Sequence, residues 1–148
     1  MAPDFTVSTG ISSVFSLKNQ RGKSVILYFY PKDNTPGCTQ EACDFKEAFQ
    51  DFREKNTVII GLSKDSIKSH LSFSEKHDLP FYLGSDPDGN VLEKYGVWIE
   101  KSMYGRSYMG IERATFLIGK NGKIEKIWRK VKVKNHVQEI LNTIKASL

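Results

Sequence analysis

Residues 25–43 read VILYFYPKDNTPGCTQEAC and contain both cysteines of this 148-residue chain. The segment opens with a continuously apolar run, Val25–Tyr30, which predicts a buried central strand. A helical pattern from about Thr39 to Arg53 follows and places Cys38 at a strand-to-helix turn, in the first turn of the helix. Free N–H groups and the helix dipole favour an anion there. We therefore expect Cys38 to be a reactive thiolate, the nucleophilic form of cysteine.

The second cysteine, Cys43, follows Cys38 by five residues. On one intact helix their Cα atoms would lie roughly 8–9 Å apart, on faces about 140° apart. A disulfide needs Cα atoms within about 7 Å of each other. A Cys38–Cys43 bond would therefore require the start of the helix to unwind, which favours a bond formed during a reaction cycle over a static structural link.

Other interpretations of the two cysteines are open. A lone buried cysteine usually acts as a small hydrophobic residue, and Cys43 fits that description better than Cys38. Zinc usually has four ligands, whereas this sequence offers two cysteines and three histidines without ligand spacing. The thioredoxin-type C-x-x-C motif does not occur. We expect neither a metal nor another cofactor.

Length and composition indicate a soluble globular protein. A chain of 148 residues suits one domain, over residues 1–148, with a sizeable core. No apolar run approaches the roughly 20 residues that cross a membrane, and the N-terminal sequence has no secretory or transit pattern. We therefore expect a cytoplasmic protein without a membrane partner. In a reducing compartment, paired cysteines are more often catalytic than structural.

The formal net charge is +5, and basic residues concentrate between Lys120 and Lys134. Such a stretch is typical of some nucleic-acid sites. Here apolar residues alternate with Lys and Glu, a pattern better explained by a strand with one solvated face. We expect no nucleic-acid partner.

The order of apolar segments predicts an α/β protein. The predicted elements are, in order, a strand over Val25–Tyr30, the helix that carries Cys38, a strand over Thr57–Leu62, a helix capped by Asp65, a short strand over Phe81–Leu83, a short helix over Val91–Tyr95, a long structured loop over Gly96–Arg113, strands over Ala114–Ile118 and Lys123–Trp128, and a helix capped by Asn135 whose apolar face runs to Leu148. This is the βαβ plus ββα order of the thioredoxin fold. We expect a three-layer α/β/α sandwich with a central mixed sheet, and a site at the carboxyl end of a central strand.

The motif Pro-x-x-x-Thr-x-x-Cys, formed by Pro31, Thr35 and Cys38, resembles that of the peroxiredoxins. The resemblance is closest to the bacterioferritin comigratory protein or peroxiredoxin Q group. It extends from Ala2 to the last helix, and it includes the segments Gly96–Trp98, Glu100–Ser102, Gly110–Arg113 and Thr115–Ile118. The resemblance implies a peroxidase that has a thioredoxin-like fold and uses no metal, haem or flavin.

This resemblance also implies roles for five residues. Cys38 would be the peroxidatic cysteine and Cys43 the resolving cysteine of an intrachain disulfide. Thr35 would hydrogen-bond the peroxide, Arg113 would stabilise the thiolate and the developing charge, and Pro31 would shield the site from bulk water. The substrates would be hydrogen peroxide and organic hydroperoxides, and the reductant thioredoxin or a glutaredoxin-like protein. Because the disulfide would be intrachain, we expect a monomer.

Glu41 lies one helical turn after Cys38. It is either the ion-pair partner that orients Arg113 or a first-turn acid that interacts with the helix dipole, and both roles are compatible with the sequence.

Two other functions would use the same Cys38. One is disulfide exchange on proteins, which the missing C-x-x-C motif disfavours. The other is a non-enzymatic redox sensor that binds a partner when its disulfide forms. Consumption of peroxide at catalytic turnover distinguishes a peroxidase from both.

Overall fold

A seven-stranded mixed sheet is the centre of the computed structural model, which describes residues 1–10 and 12–146. The elements are β1 (Thr6–Ser8), β2 (Val14–Ser16), a 3-10 helix (Lys18–Gln20), β3 (Ser24–Phe29), α1 (Pro36–Glu54), β4 (Thr57–Ser63), α2 (Ile67–His77), β5 (Tyr82–Ser85), α3 (Asn90–Lys94), β6 (Trp98–Met103), β7 (Arg106–Ile111), β8 (Ala114–Ile118), β9 (Ile124–Trp128) and α4 (His136–Ala146). The strand order is β2-β1-β5-β4-β3-β8-β9, and β6 and β7 form a separate two-stranded sheet.

β3 is the buried central strand that its apolar run predicts. It pairs in parallel with β4 and antiparallel with β8. Its side chains alternate between two apolar clusters, so that Leu27 and Phe29 face one side of the sheet while Ile26 and Tyr28 face the other. A strand covered on both faces needs a continuous apolar run rather than an alternating one. The predicted thioredoxin-like α/β sandwich with a central mixed sheet is confirmed.

Helices cover the two faces of the sheet unequally. On one face, α1, α2 and α4 pack into the apolar cluster through Phe45, Phe73 and Ile140 respectively. On the other face, α3 contributes Leu92 to a cluster completed by the N-terminal strands. Within the described ranges, none of these helices is long and apolar enough to cross a membrane.

The apolar face predicted for the last helix is confirmed over the described residues. Asn135 directly precedes α4, and its carbonyl accepts the Glu139 N–H at 3.0 Å. The predicted apolar positions that lie within α4 are all buried, namely Val137, Ile140, Leu141 and Ile144. Leu148, the last predicted position, lies outside the described residues.

The loop predicted over Gly96–Arg113 is wrong, because most of it is the antiparallel hairpin of β6 and β7. Tyr104 and Gly105 form its turn with φ values of +53° and +77°. Positive φ at both central residues is what a two-residue hairpin turn of type I′ requires. The hairpin is largely exposed on both faces, so its sequence carries no alternation of apolar and polar residues that would predict strands.

The N-cap predicted for α2 is also wrong, by one residue. Ser66, not Asp65, caps this helix, and its hydroxyl oxygen accepts the Ser69 N–H at 3.1 Å. The Asp65 carboxylate instead accepts hydrogen bonds from the Asp33 N–H at 2.9 Å and from the Ser63 hydroxyl at 2.7 Å. Serine and aspartate have similar capping ability, so composition alone does not choose between neighbours.

Phe45→Ala should lower the free energy of unfolding by about 3–5 kcal/mol. Phe45 is fully buried and stacks on Tyr28 with ring centroids 4.6 Å apart. Phe49→Ala on the same helix should cost less, because Phe49 is only half-buried. Urea denaturation of both variants measures the two losses, and equal losses would mean that the greater burial of Phe45 gives it no greater contribution to stability.

Candidate active site

The sheet brings the two halves of the site together. Phe29 at the carboxyl end of β3 pairs with Ala114 at the amino end of β8. The loop over residues 30–35 leaves β3 at this point and leads into α1, while Arg113 immediately precedes Ala114. Antiparallel pairing of β3 with β8 therefore places Arg113 beside the start of α1, although it is 75 residues from Cys38 in the sequence.

Cys38 lies in the first turn of α1, as predicted, and its residue is only 2% exposed. The helix begins at Pro36 rather than Thr39, with Thr35 in the extended conformation of an N-cap. Proline suits the first helical position because its fixed φ is already helical and its missing N–H would have no helical partner there. The N–H groups of this turn and the helix dipole favour negative charge on the Cys38 sulfur.

Arg113 contacts both Cys38 and Glu41. Its Nη2 donates to Cys38 Sγ at 3.3 Å, and its Nη1 donates to Glu41 Oε1 at 2.6 Å. Gly37 leaves room for this approach, because a Cβ at that position would lie 3.2 Å from Arg113 Nη2. Of the two roles open to Glu41, the ion pair with Arg113 is therefore the one found. The guanidinium sets a fixed positive charge against the sulfur, which stabilises a thiolate.

Glu41 is an unusual carboxylate because it is fully buried, and among the described residues its Oε2 has no hydrogen-bond partner. Burial raises the pKa of this carboxyl to about 7, and the charge and hydrogen bond of Arg113 offset that effect only in part. Burial of Arg113 disfavours its own charge, but Glu41 and Cys38 outweigh this and raise its pKa. The guanidinium therefore stays charged between its two partners.

Two further residues near Arg113 were not predicted as parts of the site. Burial and repulsion from Arg113 lower the pKa of Lys101 on β6, whereas Cys38 acts in the opposite direction, so this ammonium interacts electrostatically with the site. Glu112 accepts Arg129 Nε at 3.0 Å and thereby fixes the chain next to Arg113. Neither contact has a local sequence signal, since both depend on how the hairpin and β9 pack.

The remaining predicted residues lie on the same loop and helix. Thr35 donates its hydroxyl proton to the Lys32 carbonyl at 2.9 Å. Cys43 is half-buried on α1, and both cysteines are free thiols on one continuous helix, as the spacing argument assumes. Pro31 is exposed at the start of the loop. The roles given to these three residues, like those given to Cys38 and Arg113, stay predictions.

A second polar cluster, which the sequence did not predict, joins Asp33 of the loop to Asp65 and His70. Ligand atoms of Asp33, Asp65 and His70 come within 4.8 Å of one another, which is the spacing of a potential metal site. These atoms are already engaged within the protein. His70 Nδ1 lies 2.7 Å from Asp33 Oδ2, and His70 Nε2 lies 2.9 Å from the Gly84 carbonyl. The cluster is therefore arranged as an intramolecular hydrogen-bond network.

A cysteine and an arginine paired at a helix start beside a thioredoxin-like sheet form a site suited to thiolate chemistry. Residues 1–127 match the AhpC/TSA family. The chain is 51% identical over 144 residues to peroxiredoxin Bcp of Bacillus subtilis, covering 97% of this chain and 92% of the relative. It is 50% identical over 143 residues to a putative peroxiredoxin Bcp of Coxiella burnetii, covering 97% and 95% respectively.

A solved structure agrees with these relatives. The bacterioferritin comigratory protein of Xanthomonas campestris, studied for its alkyl peroxide reduction activity, superposes with a TM-score of 0.92 at 40% identity, covering 97% of this chain and 91% of that one. The chain belongs to the AhpC/TSA family and, within it, to the peroxiredoxins. The resemblance read from its motifs is thereby confirmed, and the protein is an oxidoreductase of the thiol peroxidase type.

Glu41→Gln should change how stability depends on pH. The unfolded chain loses the Glu41 proton near pH 4.5, whereas burial raises the pKa in the folded protein to about 7. Between these values the folded state binds more protons than the unfolded state, so the wild type loses free energy of unfolding as pH rises, relative to the variant. Urea denaturation of both proteins across this range measures the difference.

Glu47→Gln, which changes an exposed glutamate of the same helix, is the matched control for loss of a carboxylate. A stability difference between the wild type and Glu41→Gln that stays constant from pH 4.5 to about 7 would mean that Glu41 is ionised throughout this range.

Proposed function

We propose that the protein reduces hydrogen peroxide and organic hydroperoxides through Cys38 and is recycled by thioredoxin or a similar dithiol reductant. The observation that carries this proposal is the 3.3 Å hydrogen bond from Arg113 to the Cys38 sulfur at the start of α1. A thiolate held beside a fixed cation is suited to attack a weak O–O bond. The alkyl peroxide reduction activity of the Xanthomonas campestris relative supports this substrate class.

In the first step, the Cys38 thiolate attacks one oxygen of the hydroperoxide as the O–O bond breaks. The sulfur takes the OH group and becomes a sulfenic acid, and the leaving oxygen takes up a proton to form water or an alcohol. Sulfur is oxidised by two electrons and the peroxide is reduced by two. Arg113 supports this step, because its guanidinium touches the sulfur where negative charge passes to the leaving oxygen.

Thr35 is proposed to orient the peroxide. Its hydroxyl proton is already donated to the Lys32 carbonyl, so its oxygen has lone pairs with which to accept the O–H of a hydroperoxide. Its N-cap position places it one turn before Cys38. Pro31 is proposed to limit water at the start of the same loop.

In the second step, Cys43 is proposed to attack the sulfenic acid, which forms the Cys38–Cys43 disulfide and releases water. A dithiol reductant then restores both thiols by exchange. Because both cysteines lie on α1 of the same chain, no residue of a second subunit is needed. We propose that one chain, acting as a single domain and as a monomer, completes the cycle.

Cys38→Ser should abolish peroxide turnover, because it removes the nucleophile. The measurement is the steady-state consumption of hydrogen peroxide and of an organic hydroperoxide, coupled to thioredoxin and its reductase. Cys43→Ser is the matched variant, since it should still reduce one equivalent of peroxide and then accumulate a sulfenic acid visible by mass. Substantial turnover by Cys38→Ser would overturn the assignment of the nucleophile. Wild-type protein that consumes no peroxide would overturn the proposed function.

Disulfide formation should unwind the start of α1, because two cysteines five residues apart on an intact helix are roughly 8–9 Å apart at Cα. Hydrogen exchange on the reduced and the disulfide-bonded protein should therefore show loss of protection over amides 38–44. The later turns should stay protected, because Phe45 and Phe52 are fully buried against the sheet. Equal protection of amides 38–44 in both states, with the disulfide confirmed by mass, would contradict this conformational change.

A further inference from the structure

One peptide group ties the loop that carries Thr35 to the rest of the protein. This group consists of the Lys32 carbonyl and the Asp33 N–H. The N–H donates to Asp65 Oδ2 at 2.9 Å, and the carbonyl accepts the Thr35 hydroxyl at 2.9 Å. Because the carbonyl and N–H of a peptide lie in one plane, the direction of one sets the direction of the other. The contact with Asp65 therefore fixes the acceptor that orients the Thr35 hydroxyl.

Asp65 is itself held by the ends of two strands. Its Oδ2 accepts the Ser63 hydroxyl at 2.7 Å, and its backbone carbonyl accepts the Ser85 hydroxyl at 2.6 Å. Ser63 ends β4 and Ser85 ends β5, and the two residues are partners in the parallel pairing of these strands. The anchor for the loop is therefore part of the central sheet.

Asp33 is held through its side chain as well as through its N–H. Its carboxylate accepts the Tyr30 hydroxyl at 2.6 Å and the Ser69 hydroxyl at 2.8 Å, and it lies 2.7 Å from His70 Nδ1. His70 Nε2 lies 2.9 Å from the Gly84 carbonyl, so both ring nitrogens face an oxygen atom. Burial opposes ionisation of Asp33, but the hydrogen bonds from His70, Tyr30 and Ser69 outweigh it and lower the pKa of Asp33.

This network has a chemical consequence at Thr35. A threonine hydroxyl has one proton, and the Thr35 hydroxyl donates it in a hydrogen bond to the Lys32 carbonyl. The Thr35 oxygen is thereby left as an acceptor, which suits the O–H of a hydroperoxide. If the Lys32–Asp33 peptide turned, the hydroxyl would lose this partner and rotate among other acceptors. The reaction of Cys38 with an electrophile that carries no O–H does not depend on this orientation.

We propose that Asp65 and the Asp33–His70 pair are positioning residues for the peroxide reaction, acting through the Lys32–Asp33 peptide on the Thr35 hydroxyl. This inference rests on the proposed function, because it concerns the attack of Cys38 on a hydroperoxide. It assigns to this polar cluster a role in selecting peroxide over other electrophiles.

The test compares two reactions of the same sulfur. Stopped-flow measurement gives the rate constant for oxidation of Cys38 by hydrogen peroxide, and mass spectrometry gives its rate of alkylation by iodoacetamide. Asp65→Ala should lower the oxidation rate by about ten- to a hundredfold, because misplacement of a positioning group costs that much. The alkylation rate should change little, so the ratio of the two rate constants falls. A merely structural role would change both rates together or neither.

Two matched variants sharpen this comparison. Asp65→Asn keeps an oxygen that can accept the Asp33 N–H, so it should recover most of the lost oxidation rate. Asp86→Ala removes another aspartate, whose carboxylate accepts the Val91 and Leu92 N–H groups at 3.0 Å each rather than a group of the loop. It should lower stability but leave the ratio of rate constants at the wild-type value.

A double-variant experiment tests the route of the effect. If Asp65 acts through Thr35, adding Asp65→Ala to Thr35→Val should lower the oxidation rate no further.

Should Asp65→Ala not fold, Ser69→Ala removes one donor to the Asp33 carboxylate and should lower the same ratio to a smaller extent. An unchanged ratio in Asp65→Ala or in Ser69→Ala, or additive effects in the double variant, would overturn the inference. These outcomes presuppose wild-type oxidation by peroxide, so they are distinct from failure of the proposed function.

Discussion

The pairing of β3 with β8 is the constraint on which the site depends. It brings the carboxyl end of one strand to the amino end of the other, and each strand end carries half of the chemistry. β3 leads through the loop to Cys38, and β8 is preceded by Arg113. Since both strands are buried in the centre of the sheet, the distance between sulfur and guanidinium is set by the part of the protein with the least freedom to move.

The Arg113 guanidinium contacts two partners, Glu41 and Cys38, and the contact with Glu41 has an energetic cost. Glu41 is fully buried, and one of its oxygens has no partner within the described part of the chain, an arrangement that stability alone would not favour. The carboxylate nevertheless fixes Nη1, which leaves Nη2 directed at Cys38. The buried Glu41 thus lowers the stability of the protein but fixes the direction of the Arg113 guanidinium, a compromise that functional sites often show.

Sequence patterns predicted those parts of the fold that have a strong local signal. The apolar run over Val25–Tyr30 is buried as expected, and the helical pattern that follows it forms α1. The hairpin over Trp98–Ile111 was missed because both its faces are largely exposed. At the site, Cys38 and Arg113 were identified through a motif, and their contact agrees with it. The link between Asp65 and the Lys32–Asp33 peptide has no sequence period, since it arises only when the end of β4 packs beside the loop.

The start of α1 is held by a contact to the same sulfur that the proposed reaction oxidises. Its first turn contains Pro36 and Gly37, which contribute little to helix stability compared with the buried turns around Phe45. In the reduced protein, the bond from Arg113 to Cys38 ties this turn to the sheet. A sulfenic acid or a disulfide no longer carries the thiolate charge, so this tie weakens when the sulfur is oxidised. In the proposed cycle, chemistry at Cys38 would thereby release the same turn that would have to unwind for Cys43 to reach Cys38. The contact of Asp65 with the Asp33 N–H does not involve the sulfur, so that chemistry leaves this anchor of the loop unchanged.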